Sequence, residues 1–138
     1  MPAGPSPLGF AYFVGVKCVG YIAAAYVIRK FYPDTESGPV KIGLARTAIG
    51  VGVGLAYGGL WILLAHNLAG QNDLGYLIGL LPVRLGEWLL LLHLFFDRGL
   101  KERPKALKAA LGGSIWSFCL DAIGIAAAFV IPGGFWVC

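Results

Sequence analysis

Four stretches of this chain, each longer than twenty residues, are dominated by apolar side chains, and only short polar connections separate them. An α-helix rises ~1.5 Å per residue, so each stretch reaches across the ~30 Å hydrocarbon core of a bilayer. The stretches run over about 8–31, 42–65, 74–96 and 106–131. None carries one fully polar face, which argues against a soluble four-helix bundle. In lipid the backbone must satisfy its own hydrogen bonds, and a helix does so within a single segment. Only 13% of the 138 residues are charged and the mean hydropathy is +0.76, too little charge to coat a soluble domain. The expectation is an all-α integral membrane protein: four transmembrane helices in a compact antiparallel bundle, one domain over 1–138.

The opening "MPAGPSPLGF" has no Lys or Arg, and the apolar run that follows is too long for the core of a signal peptide. The first stretch therefore reads as a true span. Of eleven Lys and Arg, nine lie at or near two connections: Arg29, Lys30, Lys41 and Arg46 at the first, and Arg98, Lys101, Arg103, Lys105 and Lys108 at the last. The positive-inside bias places both connections in the cytoplasm and both termini outside, in a multi-pass protein of the plasma (inner) membrane. The same residues account for the net charge of +4 without nucleic acid as a partner. Membrane lipid is an expected partner, because each positive near the surface attracts anionic headgroups by about 1 kcal/mol. Pro104 is expected in the first turn of the fourth helix, and "YPDTESGPVK" reads as turns.

Two basic and two acidic residues fall deep inside the spans: Lys17, Arg84, Glu87 and Asp121. Counted from the outer ends, Lys17, Arg84 and Asp121 all lie ~14–15 Å down, near the bilayer midplane, with Glu87 one turn deeper. Each unpaired central charge costs roughly 2.5–3.5 kcal/mol. The ten leucines of the third stretch offset the charges of Arg84 and Glu87 only barely, so this helix needs partners. Arg84 and Glu87 are three apart and share a face. On the fourth helix Ala109, Gly113, Ser117 and Asp121 form a stripe; on the second, Gly50, Gly54 and Gly58 form another, with Arg46 below and His66 above. Small stripes let backbones approach, so the second and fourth helices are expected to pack on each other. Pro82 leaves the carbonyl of Ile78 without its helical donor, within one turn of Arg84.

These features predict a charged mid-membrane pocket in which Lys17, Arg84, Glu87 and Asp121 bind substrate, walled by Tyr21, Trp88 and Ser117. Intramembrane ionisable groups mark substrate paths and proton relays, so the expected function is binding or transport of a small anionic or proton-coupled solute. The alternatives are a lipid-binding or assembly subunit, with Lys17–Asp121 and Arg84–Glu87 as structural salt bridges, and a small intramembrane enzyme acting on a lipid-like substrate. A homodimer through the glycine face of the second helix is a further expectation.

Other motifs support no catalytic chemistry. His66 and His93 sit near opposite membrane surfaces, ~25 Å apart in depth, so they share no metal or haem, and neither a metal nor a cofactor is expected. His93 and Asp97 are four apart and are expected to pair. "GVGVG" lies inside a span and follows no strand, unlike a phosphate loop. Cys18 and Cys119 read as small buried apolar residues, and Cys138 falls outside. A short internal echo links "VKCVGY" and "VRLGEW": in each, a basic residue follows Val and an aromatic stands four residues later. Duplicated two-helix halves would leave such a trace.

Overall fold

In the computed structural model, residues 7–67, 73–127 and 130 are described. The expectations for Cys138, for the turn after Asn67 and for the terminal "PGGFWVC" lie outside them, as does the side chain of His66. The described residues form four helices: α1 (Pro7–Arg29), α2 (Pro39–Asn67), α3 (Asp73–Phe95) and α4 (Arg103–Ala127). All four are long and apolar enough to cross a membrane. This is the expected four-helix transmembrane bundle, and it fits a multi-pass integral membrane protein. α2 starts three residues before its predicted boundary because Pro39 serves as a first-turn proline, its fixed φ suiting a position that needs no donor. Pro104 takes the same role in α4.

Each helix packs against its sequence neighbour, and α1 closes the ring against α4. α2 and α4 lie diagonally opposite, with no close backbone approach among the described residues. This corrects the expected packing of the two small-residue stripes on each other. Periodicity identifies a small face but not its neighbour, and each face meets something else. On α4, Gly113 lies against the Trp88 ring of α3. On α2, Gly43 makes the close approach: a Cβ there would stand 2.8 Å from the Ile22 Cα of α1. Gly58, assigned to the packing stripe, has open space beside it.

The α3–α4 connection is tightened by side chains capping its backbone. The Gly99 amide donates to His93 Nδ1 at 3.0 Å, and the Glu102 amide to Asp97 Oδ2 at 3.0 Å. His93 and Asp97 thus serve separate backbone donors and do not form the expected pair. α3 ends at Phe95, before a helical i,i+4 geometry could reach Asp97. Gly99 and Leu100 adopt positive φ, 92° and 49°, and Leu100 bears the strain of an L-residue in that region. In the α1–α2 connection, the Thr35 hydroxyl donates to the Tyr32 carbonyl, and Arg29 reaches the Thr35 carbonyl.

Candidate functional site

The four charged residues singled out from the sequence meet inside the bundle, and a fifth joins them. Lys17 Nζ of α1 lies 2.7 Å from Asp121 Oδ1 of α4. Arg84 Nη2 of α3 donates to Asp121 Oδ2 at 2.8 Å. Arg84 Nη1 stands 3.7 Å from Glu87 Oε2, one turn along the same helix. Arg46 Nη2 of α2 donates to the same Glu87 oxygen at 2.6 Å. The result is one chain of ion pairs, Lys17–Asp121–Arg84–Glu87–Arg46, to which every helix contributes. All five residues are at most 5% exposed.

The pairing differs from the sequence expectation. Lys17 does pair with Asp121, but Arg84 is closer to Asp121 than to Glu87, and Glu87 has Arg46 as its main partner. Side chains on a helix lean toward its N-terminus. Arg84 therefore reaches back along α3, away from Glu87, to an acid leaning the opposite way from antiparallel α4.

Arg46 was grouped with the loop cations that set topology, and its place in the network is a correction. It sits seven residues past Pro39, about 10 Å into the helix, and is fully buried. Its guanidinium carbon stands 4.7 Å from the Tyr21 ring centroid and 5.0 Å from that of Trp88. A desolvated cation over aromatic faces gains about 2 kcal/mol. Gly50, one turn on, leaves room for this head group: a Cβ there would lie 3.1 Å from Nη1. Small residues at i−3 and i+4, Gly43 and Gly50, were the signal that this arginine faces protein rather than water.

Tyr21, Trp88 and Ser117, expected as pocket walls, form a packed cluster of their own. The Tyr21 hydroxyl donates to Ser117 Oγ at 3.3 Å, and Trp88 Nε1 donates to the same oxygen at 3.0 Å. The two rings meet edge to face with centroids 5.9 Å apart. The internal echo thereby acquires a structural meaning. Lys17 and Arg84, one from each copy of the motif, hold the two oxygens of Asp121. Tyr21 and Trp88, four residues further in each copy, share the hydroxyl of Ser117, four residues before Asp121. α1 and α3 thus grip α4 at two levels, and Arg46 enters between the aromatics from the opposite side.

The arrangement is electrostatically unbalanced. Three cations face two carboxylates, so the network carries one excess positive charge. Arg46 Nε and Nη1 are buried without a hydrogen-bond acceptor. The two cavities described next to this core, of ≈ 720 and ≈ 340 Å³, are lined by none of the five charged residues. The larger lies between α1 and α4, and the smaller beneath the α3–α4 connection. Cys119 is exposed on the bundle exterior, against the expectation of burial, and Cys18 is half-buried; both are free thiols. Among the described residues, no group of three or more His, Cys, Asp or Glu comes together as a metal-ion site. Comparison with known protein families, with curated proteins and with solved structures finds no match to this chain, so the site is read from its own chemistry.

Proposed function

We propose that the protein binds a small anionic solute at the Arg46 end of the ion-pair chain, as a carrier or receptor within the membrane. The observation that supports this reading is the charge count: Lys17, Arg46 and Arg84 against Glu87 and Asp121. An uncompensated charge buried in low dielectric costs several kcal/mol, and one bound monoanion removes the imbalance. The buried Nε and Nη1 of Arg46 are donors without an acceptor, and each can donate to an oxygen of a carboxylate or an oxyanion. Glu87 Oε2 is the group to be displaced.

The test is binding and flux with purified full-length protein. In proteoliposomes, small monocarboxylates and inorganic anions are screened for uptake down a concentration gradient. Arg46→Met is expected to abolish uptake while the protein remains folded, because it leaves two cations against two carboxylates. No uptake and no binding of any such anion by the wild type would reject the reading.

A second reading is favoured by a different observation: each carboxylate already touches two cations, all at most 5% exposed. In that reading the chain of pairs fixes helix register in a lipid-binding or assembly subunit. Such a protein would copurify with a partner, and Arg46→Met would alter only its stability.

A further inference from the structure

The groove between α1 and α4 lies apart from the ion-pair chain, none of whose residues lines it, and its shape and charge point to an occupant. Its volume is ≈ 720 Å³. Small residues form its floor, Ala24 on α1 and Ala109 and Gly112 on α4, while Lys105 and Lys108 stand at one end. At the other end is Trp116, whose indole N–H donates to the Gly20 carbonyl at 2.9 Å and ties the two helices together. From Lys105 to Trp116 is eleven residues, ~16 Å along the helix. That is half of a ~30 Å hydrocarbon core, the depth of one leaflet. The trough therefore runs from headgroup level to the midplane and is apolar between its basic end and its closed end.

We propose that this groove is a binding site for one anionic phospholipid of the adjoining leaflet, with an acyl chain along Ala24, Ala109 and Gly112 and the headgroup phosphate at Lys105 and Lys108. Charge selects the lipid. Lys108 is exposed, and Lys105 stands between Glu102 Oε2, 2.9 Å away, and the Tyr32 ring, 4.4 Å from its centroid. Glu102 is exposed, so this pair holds Lys105 at the mouth of the groove without removing it from a headgroup. Gly112 keeps the trough open: a Cβ there would meet nothing within 4 Å, whereas at Gly113 it would strike Trp88. Absence of a side chain at Gly112 is thus required by no helix contact and leaves space for a chain from outside.

The experiment is native mass spectrometry of the full-length protein released from nanodiscs of equimolar phosphatidylcholine and phosphatidylglycerol, scored for lipid retained. The wild type is expected to keep one phosphatidylglycerol in roughly tenfold preference to phosphatidylcholine. Lys105→Gln with Lys108→Gln should bring that ratio to near one. Gly112→Trp, whose Cβ meets no atom within 4 Å and whose ring occupies the trough, should remove the retained lipid while the helical circular dichroism stays that of the wild type. Equal retention of both lipids by the wild type, or undiminished phosphatidylglycerol on Gly112→Trp, would overturn the site. Arg46→Met, which tests the anion reading, should leave lipid retention unchanged, so the two proposals stand or fall separately.

Discussion

Lys17 and Arg84 hold opposite oxygens of one carboxylate, that of Asp121, from helices that face each other across the bundle. Removing that carboxylate takes an ion-pair partner from two buried cations at once and leaves Arg84 only the Glu87 carboxylate, 3.7 Å away. Asp121→Asn is therefore expected to cost about 3–5 kcal/mol. A double-mutant cycle with Lys17→Met, read by unfolding in detergent micelles, should give a coupling of ~1–3 kcal/mol. Strictly additive costs would show that the 2.7 Å contact contributes nothing.

Ser117 Oγ accepts from both Tyr21 and Trp88, so the three positions should not respond alike. Tyr21→Phe removes donor and bond together and should cost about 0.5–1.5 kcal/mol. Ser117→Ala leaves two buried donors without an acceptor and should cost about 1–3 kcal/mol for each. Stability of the two variants in the same micelles decides; an equal cost would show that the shared hydroxyl is not the acceptor.

Gly43 and Gly52 offer a matched comparison on one helix. A methyl at Gly43 meets the Ile22 backbone at 2.7–2.8 Å, which cannot be relieved by turning a side chain. Gly43→Ala should lower stability by about 1–3 kcal/mol through forced separation of α1 and α2. Gly52→Ala points into open space and should raise it by about 0.5–1 kcal/mol, as alanine restricts the unfolded chain. Melting temperatures moving in the same direction would contradict the close approach.

Tyr32, in the α1–α2 connection, carries a buried hydroxyl without a hydrogen-bond partner. Burial raises its pKa above 10.0, opposed by Lys105 and aided by Asp97 and Glu102. The folded state then holds the proton more tightly than the unfolded state. Its stabilising effect is whole below pH ~10 and is lost as pH rises through the raised value. Tyr32→Phe should leave stability unchanged or higher at pH 7 and flatten the decline above pH 10. An unaltered alkaline decline in the variant would assign that titration to another group.

The four helices were legible because length and apolarity alone define a span; α2 and α4 begin three residues before the expected boundary, where a proline sets the first turn, and α1 ends two residues sooner. The inward gathering of Lys17, Arg84, Glu87 and Asp121 was legible for a similar reason: charge at mid-depth has nowhere else to go. Partner choice was not. Which cation meets which acid depends on the lean of side chains and on the relative register of antiparallel helices, and neither is written in one helix. Arg46 was lost because a cation two turns from a basic connection looks like part of it. Only the glycines on either side distinguish an arginine facing protein from one reaching for water.

The order in which these partners emerge during synthesis has a consequence of its own. Arg46 precedes Glu87 and waits only for α3, whereas Lys17 in the first helix meets Asp121 only when the last helix arrives. For most of translation, then, the Lys17 ammonium has yet to meet that carboxylate, and whatever inserts the nascent chain must shelter it. A ribosome stalled before residue 121 should leave α1 poorly seated in the bilayer, and completing α4 should lock it in.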